Sequence, residues 1–308
     1  MGGVSHIVVD WGTSSFRLWA LDAGGAVLAE RRSAQGLAAS GAEGFETVLE
    51  SHLAALDIPD GVPVMMCGMV GSRAGWVEAA YVATPAGLDG LTEQAAHVPS
   101  ARRLIRILPG IAQRGAAGAD VMRGEETQLL PLLRDGFAGT ACLPGTHSKW
   151  VRVEEGAVAG FATFLTGELF HLLRSASVVA PAVEGAAPVD PASADFATGV
   201  DDGLAAPELL GRDLFRLRAG WLLDGASPEA TLARLSGLLI GAELAGAARI
   251  AGTGPVALIA SGAAAALYGT ALKRAGFAAV TLHDAEACVR AGLHAAALRA
   301  FRLERISA

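Results

Sequence analysis

The stretch VVDWGTSSFRLW, residues 8–19, decides the fold of this chain. An apolar run ends in a carboxylate, Asp10, and one glycine and three hydroxyl side chains follow before the next apolar run. This pattern predicts two strands joined by a tight turn. Glycine lets backbone N–H groups approach a phosphate closely, and hydroxyls donate hydrogen bonds to its oxygens. The turn is a candidate phosphate-binding loop, and Asp10 is a candidate catalytic ligand of Mg²⁺, which takes few protein carboxylates.

The same design returns in ACLPGTHSKWVRV, residues 141–153, as strand, G-T-x-S and strand. A single copy could be an ordinary hairpin turn with capping hydroxyls. Two copies, each opening one half of the chain, predict an internal duplication. Lys149 could contact a phosphate as a point charge. His147 could do the same or simply bond to the backbone, and the second role is the more common one for a histidine. The candidate phosphate-binding residues are Gly12, Thr13, Ser14, Ser15, Gly145, Thr146, His147, Ser148 and Lys149.

Length and composition narrow the class of protein. At roughly 150 residues per domain, 308 residues predict two domains, and 52% hydrophobic against 18% charged residues exclude disorder. The formal charge of -7 and the lack of a basic run argue against nucleic-acid and membrane-surface partners. Three widely spaced cysteines indicate neither disulfides nor a zinc site, which fits the cytoplasm.

Two apolar segments need a check against membrane insertion. The N-terminus has no basic region before its short apolar run, so we predict a first strand and no signal peptide. Residues 250–272 carry no charge and approach the length that spans a bilayer. They are dominated by Ala and Gly and broken at Ser261 and Gly262, so we predict a buried strand, a glycine loop and a helix.

Two phosphate hairpins are typical of the actin, hexokinase and Hsp70 superfamily, and the chain resembles that pattern. The third superfamily element is a glycine loop under the adenosine, which LIASGAAAALYGTAL, residues 258–272, fits in position and order. Ser261 and Gly262 are its candidate ATP contacts, although a single Gly stands where the superfamily often has two. The resemblance implies an α/β fold with two actin-like, ribonuclease H-like domains and an ATP cleft between them. Residues 1–140 would form the first domain and 141–283 the second, with a helix over 284–308 packing back on the first.

The remaining motifs resemble one family, the 2-keto-3-deoxygalactonate kinases. The strings occur in family order and cover nearly the whole chain. They are VDWGTSSFRLW (9–19), CGMVGSRAGWVEAAYVATPA (67–86), DVMRGEETQ (120–128), LPGTHSKWV (143–151), FLTGELFHLL (164–173) and SGLLIG (236–241). The resemblance implies a kinase that uses ATP and Mg²⁺ to phosphorylate the terminal C6 hydroxyl of 2-dehydro-3-deoxy-D-galactonate in galactonate or galactose breakdown. It leaves a homodimer open.

Phosphoryl transfer to an alcohol usually needs a carboxylate that accepts the hydroxyl proton. The candidates are Asp120, Glu125 and Glu126, just before the second hairpin, where the superfamily presents its catalytic carboxylate from a helix start. We favour Glu125 because it follows Gly124, where an apolar strand would end and a helix begin. Glu126 is rotated by about 100° from it on a helix, and Asp120 is predicted in a loop. Helix capping also favours acids here, so a structural role stays open for each.

A sugar acid also carries a carboxylate, which a planar guanidinium can hold bidentately. GSRAGW, residues 71–76, offers Arg73 on a predicted strand-end loop, and Arg17 and Arg123 are alternative ligands. The same string would also arise if Arg73 had no role in binding and only lay in solvent over a packed Trp76. The candidate substrate-binding residues are Arg17, Gly71, Ser72, Arg73, Trp76, Tyr81 and Arg123.

Two other functions compete with this interpretation. One is a kinase of the same fold for another sugar, against which only GSRAGW and MRGEETQ speak. The other is a non-catalytic ATP-binding protein of the actin or Hsp70 type, which the lack of a peptide-binding extension disfavours. No G-x-G-x-x-G follows the first strand, so a dinucleotide-dependent oxidoreductase is excluded.

Overall fold

A computed structural model describes residues 3–115 and 118–303 of the chain. The strands are β1 (His6–Trp11), β2 (Phe16–Leu21), β3 (Val27–Ser33), β4 (Val64–Gly68), β5 (Tyr81–Ala83), β6 (Ala86–Gly87), β7 (Ala96–Val98), β8 (Ile105–Ile107), β9 (Gly110–Gln113), β10 (Asp120–Met122), β11 (Gly139–Leu143), β12 (Ser148–Glu154), β13 (Ala157–Phe164), β14 (Val256–Ile259) and β15 (Val280–His283). The helices are α1 (Leu37–Glu43), α2 (Phe45–Ala54), α3 (Leu88–Glu93), α4 (Glu125–Arg134), α5 (Thr166–Ala176), α6 (Ala194–Ala205), α7 (Leu210–Asp224), α8 (Pro228–Ala251), α9 (Gly262–Arg274) and α10 (Ala285–Ala300).

One strand order occurs twice. The first sheet has the order β3-β2-β1-β4-β8-β7, in which β1 pairs antiparallel with β2 and parallel with β4. The other large sheet contains the run β13-β12-β11-β14-β15, in which β14 pairs parallel with both β11 and β15. The two runs have the same order, with a hairpin followed by parallel strands. The predicted α/β class with an internally duplicated, actin-like arrangement is therefore confirmed.

The chain divides into two compact units. Unit 1 takes Met1–Ala138, Val153–Gly160 and Ala285–Ala308, and unit 2 takes Gly139–Arg152 and Phe161–Asp284. Within unit 1, α10 packs on α4 and β1. The packing with α4 is close, because a Cβ on Gly292 would lie 2.1 Å from the carbonyl oxygen of Thr127.

The core of unit 1 is formed by the apolar faces of β1, β2, β4 and α2. Trp11 packs edge-on against Phe16 and Phe45, at 4.7 Å and 5.5 Å between ring centroids. Trp76 stacks on Phe45 at 6.2 Å, so its ring extends this aromatic cluster. Burial of this many aromatic rings stabilises the end of β1 at which the first turn begins.

In unit 2, α8 forms much of the core and packs closely on α6. A Cβ on Gly199 would lie 2.5 Å from the carbonyl oxygen of Arg234, and one on Gly237 would lie 2.3 Å from that of Phe196. The SGLLIG motif thus contains a helix-packing surface. By length and composition α8 is also capable of crossing a bilayer, but most of that apolar stretch is buried in unit 2. The uncharged segment after Arg249 contains β14 and α9, as predicted.

A small third sheet has the order β10-β9-β5 and belongs to unit 1. Asp120 opens β10 and pairs with Gln113 of β9. The prediction that Asp120 lies in a loop is wrong, because antiparallel pairing with β9 extends the backbone up to this residue.

Candidate active site

The first turn lies between β1 and β2 in unit 1. The backbone N–H of Gly12 donates to the carbonyl oxygen of Ser15 at 2.9 Å, which closes the turn. Thr13 and Ser14 are exposed at its tip, while Gly12 and Ser15 are half-buried. The predicted turn is therefore present, with two hydroxyl side chains exposed to solvent, and phosphate binding by it stays a prediction.

Asp10 stands at the end of β1 among charged neighbours. Strand pairing places it opposite Arg17, whose Nη1 lies 3.5 Å from Asp10 Oδ2, and beside Cys67, whose Sγ lies 3.9 Å from Oδ1. Burial raises the pKa of Asp10; the Arg17 cation opposes this shift, and the Glu286 and Glu125 carboxylates add to it. The carboxylates of Asp10, Glu125 and Glu286 therefore act on one another near the first turn. Arg17 pairs with Asp10, so its guanidinium already has a partner there.

The two glutamates that open α4 have different environments. Glu126 is buried, and its Oε2 accepts from the backbone N–H of Gly124 at 2.6 Å while its Oε1 accepts from Thr127 Oγ1 at 3.0 Å. Burial, and then the Glu125 charge, raise the pKa of Glu126 to about 8. Glu125 is half-buried, and its Oε2 accepts from the backbone N–H of Arg123 at 3.1 Å. Glu125 retains solvent access, and Glu126 fixes the start of the helix.

Asp120 lies at the far end of β10 from this helix start. Its Oδ1 accepts from the backbone N–H of Val121 at 2.8 Å. Val121 and Met122 of β10, at about 3.3 Å each, and Arg123 separate its position from the glycine before Glu125. Of the three candidate bases, Glu125 is the half-exposed one whose charge acts on Asp10.

Arg123 links the α4 start to the loop before β5. Its Nη2 donates to the carbonyl oxygen of Ala79 at 2.7 Å, and its guanidinium lies 4.4 Å from the centre of the Tyr81 ring. Gly71 makes room for it, since a Cβ there would lie 3.0 Å from Arg123 Nη1. The Nε and Nη1 atoms of Arg123 and the Oγ of Ser72 are buried and have no hydrogen-bond partner among the described residues.

Arg73 has a different position from the one expected of a substrate ligand. Its side chain is 92% exposed, and its Nε lies 3.8 Å from a carboxylate oxygen of Glu78. Trp76 belongs to the aromatic cluster with Phe45 described above. The structure therefore places Arg73 of GSRAGW in solvent, and Arg123 is the more buried of these two carboxylate-binding candidates.

The second turn, between β11 and β12, lies in unit 2. Gly145, Thr146 and His147 are exposed. His147 Nε2 lies 2.6 Å from Glu168 Oε2, so the first turn of α5 reaches the turn through an ion pair or a hydrogen bond. This partner of His147 is a side chain, where the sequence favoured the backbone.

Ser148 and Lys149 point inward, unlike the residues before them. Ser148 is fully buried, and its Oγ lies 2.9 Å from the hydroxyl of Tyr268. Lys149 is 3% exposed, and its Nζ donates to the carbonyl oxygen of His147 at 3.0 Å. Their side chains support the turn from within, whereas the sequence predicted that both would contact phosphate. The alternation of inward and outward side chains along a strand does not predict, this close to a turn, which side chains face a ligand and which face the core.

A cavity of about 340 Å³ opens beside the second turn in unit 2. This volume falls in the range of small-molecule sites, and its walls are largely apolar. Ser261 and Gly262 precede the part of α9 that forms one wall, and Ser261 Oγ donates to Asp284 Oδ2 at 2.7 Å. The residues lining the cavity include Pro144, Gly145, Thr166, Gly167, Phe170, Ser236, Leu239, Ala263, Ala264, Leu267 and Tyr268.

A glycine packs on the back of the first turn. Gly36 precedes α1, and a Cβ at this position would lie 2.3 Å from the carbonyl oxygen of Thr13 and 2.5 Å from the backbone of Ser14. Leu37 N donates to the carbonyl oxygen of Gly12 at 3.0 Å. Gly36 therefore fixes the position of the turn, and local sequence gave no sign of it.

The second turn has an equivalent support. A Cβ on Gly167 would lie 2.3 Å from the carbonyl oxygen of Gly145 and 2.8 Å from Thr146 Cα. Glu168 N donates to the carbonyl oxygen of Thr146 at 2.9 Å. The α1 start thus contacts the first turn, and the α5 start contacts the second turn, each through one glycine and one backbone hydrogen bond. The duplication therefore extends beyond the strands.

Comparison with known proteins extends the sequence resemblance. A family model for 2-keto-3-deoxy-galactonokinase matches residues 10–296. A protein of Rhizobium meliloti (strain 1021) named probable 2-dehydro-3-deoxygalactonokinase is 48% identical over 297 residues, which cover 95% of this chain and 96% of the relative. The 2-dehydro-3-deoxygalactonokinase of Escherichia coli (strain K12) is 35% identical over 240 residues, which cover 78% of this chain and 79% of that protein.

A solved structure gives the same result in three dimensions. The crystal structure of a Sinorhizobium meliloti protein described as a 2-dehydro-3-deoxygalactonokinase matches with a TM-score of 0.91 at 48% identity, covering 96% of this chain and 98% of the other. The residues that the family model matches, 10–296, include both turns, the α4 start and the glycine loop before α9. The chain belongs to the 2-keto-3-deoxy-galactonokinase family.

Proposed function

We propose that this protein transfers the γ-phosphate of ATP to the terminal C6 hydroxyl of 2-dehydro-3-deoxy-D-galactonate. The observation that carries the proposal is the half-buried Glu125 carboxylate at an α4 start that packs close to Asp10: a Cβ on Gly124 would lie 3.6 Å from Gly68 Cα, and a Cβ on Gly68 would lie 3.5 Å from Asp10 Oδ1. The substrate hydroxyl oxygen bonds to the γ-phosphorus, the bond to the ADP oxygen breaks, and Glu125 accepts the hydroxyl proton. A positioned base of this kind typically contributes 10²- to 10⁴-fold to the rate.

We assign the nucleotide to unit 2 and treat the two units as the two domains. The assignment is supported by the cavity beside the exposed turn, which gives the base and ribose an apolar wall on α9. Gly145, Thr146 and His147 then offer backbone and side-chain groups to the phosphates. Lys149 contributes through its bond to the His147 carbonyl, which holds the turn in place.

Asp10 is the residue that fits Mg²⁺. Its carboxylate lies in the field of Glu125 and Glu286, and Arg17 is the neighbouring cation that the structure places within 4 Å of it. The described residues contain no cluster of three or more acidic, His or Cys side chains that could enclose a metal. Mg²⁺ suits such a position, because it uses one or two carboxylates, waters and phosphate oxygens. When bound, it would neutralise charge on the phosphates.

The sugar acid is assigned to unit 1, with Arg123 as the ligand of its carboxylate. Among the described residues, no hydrogen-bond partner is found for Arg123 Nε, Arg123 Nη1 or Ser72 Oγ. Buried donors without a partner cost free energy. A carboxylate would complete them, with movement of the loop 72–80 to admit it. Arg123 directly precedes Gly124 and Glu125, so acid recognition and the base would share one short segment. ATP as cosubstrate and three cysteines that are widely spaced along the chain support a cytoplasmic location.

A coupled assay of ADP release tests this function. Turnover with 2-dehydro-3-deoxy-D-galactonate should exceed turnover with its gluconate epimer and with neutral hexoses. Equal turnover with neutral hexoses would contradict the acid-binding assignment. No ADP release with any of these substrates would contradict the kinase assignment.

A further inference from the structure

Glu243 is a buried carboxyl group in the middle of α8. It is 2% exposed and lies in a helix whose neighbouring residues are apolar core. A carboxylate in such surroundings is costly unless several donors compensate it. Glu243 has them: Trp150 Nε1 donates to Oε1 at 2.8 Å and the Tyr268 hydroxyl donates to Oε2 at 2.6 Å. Ser148 Oγ lies 2.9 Å from the same Tyr268 hydroxyl, so Ser148 joins the network through Tyr268.

The side chains around Glu243 come from three elements that surround the cavity. Ser148 and Trp150 belong to β12 directly after the second turn, Thr166 is the first residue of α5, and Tyr268 lies on α9. Thr166 and Tyr268 line the cavity, whereas Glu243 does not. One carboxylate therefore connects β12, directly after the second turn, with the α9 wall of the cavity.

We propose that Glu243 is a positioning residue for nucleotide binding, which sets the second turn and the α9 wall of the cavity relative to one another through its hydrogen bonds with Trp150 and Tyr268. The inference rests on the proposed nucleotide site in unit 2. A carboxylate suits this role because it only accepts hydrogen bonds, and the Trp150 indole can only donate. An amide would turn an N–H group toward at least one of the donors.

The test compares three variants by ATP binding and by kinetics. Glu243→Gln keeps the shape of the side chain. Tyr268→Phe removes the hydroxyl that donates to Glu243, and it serves as the second variant if Glu243→Gln does not fold. Thr231→Val is the matched control on α8, because Thr231 is equally buried but its hydroxyl bonds to the backbone of Ser227. Mg·ATP affinity is measured by calorimetry, and KM is measured for each substrate.

We expect Glu243→Gln to raise the Kd and KM for ATP by about tenfold or more, the usual effect of losing a hydrogen bond to a charged group. Tyr268→Phe should act in the same direction, and the KM for the sugar acid should stay within twofold. Thr231→Val should bind ATP as the wild type does. A lower melting temperature with unchanged ATP affinity in Glu243→Gln would overturn the inference, because the carboxylate would then only stabilise the fold.

A further variant separates this inference from the proposed site. Gly167→Ala drives a Cβ into the second turn and should weaken ATP binding whatever Glu243 does. If Gly167→Ala weakens binding and Glu243→Gln does not, the role of Glu243 is refuted and the nucleotide site stands. If neither variant changes the ATP affinity of the folded protein, the nucleotide site in unit 2 is itself refuted.

Discussion

Glu125 and Glu126 are consecutive residues on α4, yet Glu126 is 1% exposed and bonded to the backbone of Gly124, while Glu125 is half-buried with solvent access. The difference follows from the turn of about 100° per helical residue. One carboxylate becomes available for chemistry, and the other holds the helix start.

Glu125→Gln should lower kcat by about 10²- to 10⁴-fold and leave the KM for ATP nearly unchanged, because it removes the proton acceptor and keeps the shape. Steady-state kinetics with both substrates measure this. Asp120→Asn is the matched control, since Asp120 lies at the other end of β10, and it should retain most of kcat. Full kcat in Glu125→Gln with loss of kcat in Asp120→Asn would transfer the role of base to Asp120.

Asp10→Asn should fold and lose about 10²-fold or more of kcat, the typical cost of removing one charge-organising group. Burial already disfavours the charged Asp10, so the neutral amide should leave the melting temperature equal or higher. Turnover measured against Mg²⁺ concentration gives the decisive result. Wild-type turnover with an unchanged Mg²⁺ dependence would exclude Asp10 as the metal ligand, and Asp135→Asn, on an exposed carboxylate, is the control.

Arg123→Met should raise the KM for the sugar acid by about 30-fold or more, equivalent to about 2 kcal/mol for a desolvated charge pair. The KM for ATP should change little. The same substitution at Arg73 is the control and should change neither KM by more than twofold, because Arg73 is 92% exposed. The opposite ranking of the two variants would restore Arg73 as the ligand.

The sequence predicted the features that depend on neighbouring residues. Both hairpins, the helix start at Glu125 and the strand, loop and helix around Ser261 follow from local patterns of apolar, glycine and hydroxyl residues. Their common design also predicted the internal duplication, which the structure shows as a repeated strand order.

Side-chain direction and long-range packing could not be predicted in this way. The inward direction of Ser148 depends on Tyr268, which is 120 residues away, and the burial of Glu243 depends on Trp150, which is 93 residues away. Arg73 and Arg123 are both arginines near glycines, and only the fold separates the solvated one from the one packed on Tyr81. A lone Glu within the apolar run of α8 was a usable signal for Glu243.

Glu126 should make the stability of the protein depend on pH. Burial raises its pKa from 4.5 in the unfolded chain to about 8 in the folded one. The folded state therefore holds the proton more tightly, so this stabilising contribution is complete below pH 4.5 and is lost as the pH rises through 8. A single group contributes at most about 1.4 kcal/mol per pH unit.

Urea unfolding between pH 6.5 and 9 measures this effect. The free energy of unfolding should fall with pH more steeply in the wild type than in Glu126→Gln, which carries no titrating group. His6 and His294, whose pKa values are lowered by burial, act at lower pH and in the opposite direction, so this window separates them. Glu243, whose pKa burial also raises, acts equally on both proteins. Parallel slopes for wild type and variant would show that Glu126 is ionised when folded.

Gly36→Ala should impair the first turn without straining its own backbone. The φ angle of Gly36 is -69°, which alanine adopts freely, so the effect is steric. The new Cβ would lie 2.3 Å from the Thr13 carbonyl oxygen, a distance at which the turn must shift. A displacement near 1 Å can cost about 10²-fold in rate, so kcat/KM should fall by about that factor.

Gly41→Ala is the matched control for this prediction, because Gly41 lies in the same short helix α1 and an added Cβ would meet nothing within 4 Å. Replacing a helical glycine by alanine usually stabilises by about 0.5–1 kcal/mol, so this variant should keep wild-type kcat/KM and unfold at slightly higher urea. The comparison separates a general effect on α1 from a specific effect on the turn, since both substitutions add one methyl group to one segment. If Gly36→Ala keeps wild-type kcat/KM, the position of the Thr13 and Ser14 backbone does not limit catalysis, and the first turn loses its assigned role in binding phosphate.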